Sequence, residues 1–104
     1  MNSPSTQVID CRVVGGDKLP ADTGGADALC AAITRAAAAE TSVKKFSVEV
    51  RVLGNSSLAA TLTTADGTIL PEQRFAISDR SLNKGSLERF ATALVGEVAR
   101  AASR

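Results

Sequence analysis

Cys11 and Cys30 are the only cysteines of this 104-residue chain, and histidine is absent altogether. Without an imidazole to take its proton, neither thiol has the base that activates catalytic cysteines. Two soft ligands, with no others in a recognisable spacing, do not make a zinc site, so neither metal nor cofactor is expected. The chemistry left to the pair is oxidation to a disulfide. Cys11 falls on the inward parity of a strand, and Cys30 on the inward stripe of the helix that follows it. A bond between them would close a loop of about 20 residues, worth ~3 kcal/mol in the chain-entropy model. It would also imply an oxidising compartment such as a periplasm. The other reading is two buried free thiols acting as small hydrophobes in a cytoplasmic protein. The residues alone leave the two open.

Other possible chemistry is thinner. Asp22-Thr23-Gly24 matches the triplet of aspartic proteases. Here it follows Leu19-Pro20-Ala21 rather than an apolar strand, and the second copy such a site needs is missing. Gly15-Gly16 and Gly24-Gly25 give neither G-x-G-x-x-G nor the G-K-[ST] ending of a phosphate loop. Lys18, Arg80 and Lys84 lie in two long connections that the topology brings to the end where both helices begin. Helix N-termini beside cations attract anions, which makes these three the candidate anion or small-ligand site. No pair of acids has a spacing that nominates acid–base work, so a non-enzymatic role is expected.

The elements that position these residues follow from periodicity. Phe46, Val48, Val50 and Val52 alternate with Ser47, Glu49 and Arg51, the period of two of a half-buried strand. Leu58, Ala60 and Leu62 repeat it. Asp66-Gly67 suits a type I′ hairpin turn, because both residues tolerate positive φ. A third strand over residues 67–78 should be an edge, bent near Pro71-Glu72, with Ile69, Phe75 and Ile77 sharing one parity. Residues 7–14 form the first strand, with Ile9, Cys11 and Val13 inward and Asp10 and Arg12 outward. A helix over about 25–41, capped by Asp22 or Thr23, carries the stripe Leu29, Cys30, Ile33, Ala36 and Ala37. A last helix, with Ser86 as its N-cap and Glu88 in its first turn, carries Leu87, Phe90, Ala91, Leu94, Val95 and Val98.

The order is β-α-β-β-β-α, an α+β two-layer sandwich with both helices on one face of a four-stranded mixed sheet. Residues 7–104 make one domain after a disordered tail, residues 1–6. That tail has no charged start followed by an apolar segment, so no leader is visible. The other sheet face carries Asp10, Arg12, Glu49, Arg51, Thr61, Thr63 and Arg74 and should stay wet. Net charge is +1 with both signs interspersed, which argues against a general grip on nucleic acid. No apolar run is long enough to span a membrane. High Ala, with Arg exceeding Lys, suggests a bacterial source.

Two resemblances bear on function. From Gly24 onward the order α-β-β-β-α is similar to that of double-stranded-RNA-binding domains, whose second helix opens with a lysine cluster. This chain has Asn83-Lys84-Gly85-Ser86-Leu87-Glu88 there, one lysine and an acid, so no dominant phosphate contact is expected. Gly24-Gly25-Ala26-Asp27-Ala28-Leu29-Cys30-Ala31-Ala32 resembles the Gly-Gly-Asp…Ala-Leu-Cys-Gln-Ala stretch that opens a helix in the TolA C-terminal domain. In that family a cysteine of an earlier strand bonds to the helix cysteine, which implies the pair Cys11–Cys30. The resemblance implies a small periplasmic module that engages protein partners by strand addition. The expectation is therefore a protein-interaction or envelope-assembly module, binding a protein partner or itself. Its first strand, carrying outward Asp10 and Arg12, is the unprotected edge.

Overall fold

The computed structural model describes residues 8–40, 45–54, 56–77 and 82–102. The chain runs β1 (Val8–Val14), α1 (Gly25–Ala39), β2 (Phe46–Val52), β3 (Ser57–Thr64), β4 (Gln73–Ala76) and α2 (Lys84–Ala102). Two 3-10 turns, Gly16–Lys18 and Ala21–Thr23, lie between β1 and α1. The expected tail over residues 1–6, the strand start at residue 7, and Arg80 fall outside the described residues.

One sheet has the order β1-β2-β3-β4. β1 pairs with β2 in parallel, because α1 carries the chain back between them, and the other two pairings are antiparallel. The inward parities of β2 and β3 are buried at Phe46, Val48, Val50, Val52, Leu58, Ala60 and Leu62. Against them lie Leu29, Ile33 and Ala37 of α1 and Leu87, Phe90, Leu94 and Val98 of α2, in one continuous core. Each large aliphatic or aromatic side chain so buried contributes roughly 1.5–3 kcal/mol. Asp10, Arg12, Glu49, Arg51 and Arg74 are exposed on the opposite face. The α+β fold expected from the sequence, with its four-stranded mixed sheet and two helices, is the one observed.

Several local expectations are corrected. The register of β1 against β2 slips between Val8 and Asp10, a bulge around Ile9. An extra residue there inverts the alternation, so Val8 joins the core although it shares the parity of Asp10 and Arg12. The third strand of the hairpins is shorter than residues 67–78, since regular pairing covers only Gln73–Ala76. Ile69 makes an isolated bridge to Thr63, whereas Gln73 pairs with Ala60, so the chain gains one residue around Pro71. That gain separates the faces: Ile69 is 69% exposed while Phe75 packs on the core.

The β3–β4 turn is also not a two-residue type I′ turn. The Gly67 N–H donates to the Thr64 carbonyl at 2.9 Å and the Thr64 N–H to the Thr68 carbonyl at 2.8 Å. This is a three-residue loop with Gly67 at φ 92° as its left-handed residue.

Neither helix is capped as expected. Gly24, at φ 91°, precedes α1 with no side-chain cap, and an added Cβ there would sit 2.7 Å from that of Ala28. Thr23 works one step earlier: its hydroxyl donates to the Pro20 carbonyl at 2.7 Å and accepts from the Gly25 N–H at 3.2 Å. At α2, Asn83 is the cap and Ser86 its reciprocal partner. The Ser86 N–H donates to Asn83 Oδ1 at 2.9 Å, and the Asn83 N–H to Ser86 Oγ at 2.7 Å. This exchange satisfies two donors, as in a capping box, and starts the helix before Ser86. Glu88 therefore lies beyond the first turn, which holds no acid.

Candidate functional site

β1 ends the sheet, and among the described residues no strand pairs with its outer edge. It is held from the core side by a disulfide: Cys11 and Cys30 are bonded, their Cα atoms 6.0 Å apart. The bond ties the edge strand to α1. The parities that pointed to this pair converge because α1 crosses over the strand that precedes it.

Asp10 and Arg12 stand on the open face, and their register partners on β2 are Ser47 and Glu49. Thr63 and Thr61 continue the two rows onto β3. These six side chains line a shallow cleft of about 180 Å³. The next row, Val14, Arg51, Ala59 and Arg74, is bound by charge. Glu72 accepts from Arg51 at 2.7 Å and lies 3.6 Å from Arg74. Ala59 is buried on this outward side, with Arg51 and Arg74 as its register neighbours, consistent with cover by their stems. Val14 and Leu53 stay 47% and 45% exposed near this end of the face. The far edge is short by comparison, with β4 only 4 residues long and preceded by Pro71 and Glu72.

At the end where the helices begin, Lys84 opens α2 and lines a cleft of about 280 Å³ with Thr23, Arg35, Leu87 and Glu88. Lys18, exposed in its 3-10 turn, is not part of that lining. Arg35 takes a place that sequence reasoning did not assign. It donates to Glu88 at 3.1 Å, joining α1 to α2 between two largely exposed side chains. The contact was not legible because it depends on how two helices far apart in sequence align. The cleft thus holds two cations and an acid.

A third cleft, about 300 Å³, opens at the opposite end between Lys45, Thr64, Asp66, Leu70, Val98 and Ala101. Beside it the Thr64 hydroxyl donates to the Asp66 carboxylate, as does the Thr68 N–H at 3.2 Å. The Thr64 bond first, and the Thr68 bonds next, hold the Asp66 carboxyl below its ordinary value. Among the described residues no group of three His, Cys, Asp or Glu is placed to hold a metal ion, and no buried side-chain polar atom lacks a partner. No described helix is long and apolar enough to cross a membrane.

No family model, no curated protein and no solved structure matches the chain.

Proposed function

We propose that this protein is an exported, non-enzymatic interaction module that receives an extended strand of a protein partner along β1. The observation that carries the reading is the outer edge of a strand of 7 residues, unpaired among the described residues and held in place by a disulfide. Unpaired N–H and C=O groups along such an edge are a template for an added strand. The opposite edge is poorer, being shorter, preceded by Pro71 and Glu72 and carrying Arg74. A disulfide is kept in oxidising compartments, which supports export and a place in a bacterial envelope assembly.

The test uses proline. Alternate residues of a strand turn their N–H groups to opposite edges. Of Arg12→Pro and Val13→Pro, one therefore removes a bond to β2 and the other blocks the free edge. The variant that keeps its unfolding midpoint is the blocked one. A protein from an envelope extract that binds the wild type should be lost from that variant. Equal retention by both defeats strand addition at β1.

The competing reading is an anion or small ligand at the helix-start end, with Lys18, Arg80 and Lys84. It stands second because Arg35, which joins Lys84 in the cleft there, already faces Glu88. A rise of the thermal midpoint with millimolar phosphate or sulfate would move it to first place.

A further inference from the structure

From Val8 to Val14, β1 reads Val-Ile-Asp-Cys-Arg-Val-Val. About Cys11 the strand is symmetric in kind. An acid and a base flank the cysteine, and two apolar residues lie beyond them on each side. We infer that the strand added to β1 is β1 of a second copy, antiparallel about a two-fold axis at Cys11. The inference rests on the edge reading above and names its partner.

Two-fold pairing of an edge strand opposes residues of like parity, so both copies keep their helices on one side of a continuous sheet. Near the middle of β1 three such registers exist. Centred on Asp10, the pairing opposes two aspartates. Centred on Arg12, it opposes two arginines. Centred on Cys11, it opposes Asp10 to Arg12 twice, once on each side of the axis. Opposite charges across a ladder stabilise and like charges destabilise, so charge selects the third register. Asp10 and Arg12 are exposed on the open face, and among the described residues neither is engaged in an ion pair.

The backbone fits the same axis. Because opposed residues share parity, whichever alternate residues turn their N–H and C=O to the free edge meet their own equivalents. The bulge around Ile9 limits the regular ladder to Asp10 through Arg12 of each copy. The contact is therefore short and belongs at high protein concentration. It is also closed: the outer edges of the eight-stranded sheet are two copies of β4, which Pro71 and Glu72 guard against further addition.

Sedimentation equilibrium over a wide concentration range tests this with charge swaps. The wild type should dimerise, and Asp10→Arg and Arg12→Asp should each weaken the dimer about tenfold or more, since two pairs change sign at once. Mixed in equal amounts, the two single variants should associate with each other, because one supplies only base and the other only acid. The double variant Asp10→Arg with Arg12→Asp should dimerise on its own. Unchanged circular dichroism confirms that these exposed positions leave the fold alone. A dimer indifferent to the swaps, or single variants that fail to pair with each other, overturns the inference. A wild type that stays monomeric at the highest concentration also overturns it. In that case loss of a captured partner from the edge-blocked proline variant shows strand addition to be intact and only the partner wrong. A dimer that persists in the proline variant overturns the inference, and partner retention by that variant is what overturns strand addition itself.

Discussion

Phe75 of β4 meets Phe90 of α2 with ring centroids 5.6 Å apart and planes inclined by 53°. This contact closes the core at the side where the sheet is narrowest. Phe90 is fully buried, whereas Phe75 is only partly so. Phe90→Ala should cost about 3–5 kcal/mol and Phe75→Ala less. A double-mutant cycle in urea should return a coupling of ~0.5–1.5 kcal/mol. Strict additivity would show that the rings share a core without favouring each other.

Reduction should weaken the fold by about 3 kcal/mol, the loop-closure contribution of the Cys11–Cys30 bond. Urea titrations with and without reductant measure it. Intact mass after alkylation under denaturing, non-reducing conditions should show no label, and two labels would mean free thiols.

Gly24→Ala should destabilise by on the order of 2 kcal/mol. The new Cβ would lie 2.7 Å from that of Ala28, at a φ of 91° that disfavours side chains. Gly25→Ala makes an informative companion. It shares the positive φ but meets nothing within 4 Å, so the difference between the two isolates the clash.

Asp66 gives a signed pH dependence. Its folded carboxyl is held below the ordinary value of 3.8, chiefly by the Thr64 hydroxyl and then by Thr68. A depressed acid contributes stability above its unfolded value and loses it as pH falls through the folded one. The stability gap between wild type and Asp66→Asn should therefore be constant at neutral pH and close below about pH 4. A gap that does not change between about pH 6 and about pH 2 would mean that the turn does not favour the charged carboxylate.

Strand order, both helices and the inward placement of the two cysteines were legible because they rest on periods repeated over several residues. Phe46 to Val52 and Leu87 to Val98 could each absorb a local irregularity without losing the pattern. Ile69 was misread, and the burial of Val8 was missed, for the opposite reason. Single extra residues around Pro71 and Ile9 invert parity beyond them, and nothing in composition announces a bulge. The caps failed on a different scale. Asn83 and Ser86 were both in view, and only the reciprocal bonds show which one ends the loop. Arg35 at the cleft beside Lys84 depended on helix–helix alignment, which no local pattern encodes. The place of β1 at the edge of the sheet, by contrast, followed from topology alone.

The disulfide also redirects mechanical load. A pull on the N-terminus would run along β1 only as far as Cys11 and then pass through the sulfur bridge into α1 at Cys30. Residues 12–29 lie inside the covalent loop and carry no tension. Arg12, Val13, Val14 and both 3-10 turns would therefore stay in register under a force that unzips the strand before Cys11. A module tethered through that end could be tugged without the part of its outer edge beyond Cys11 being peeled from β2.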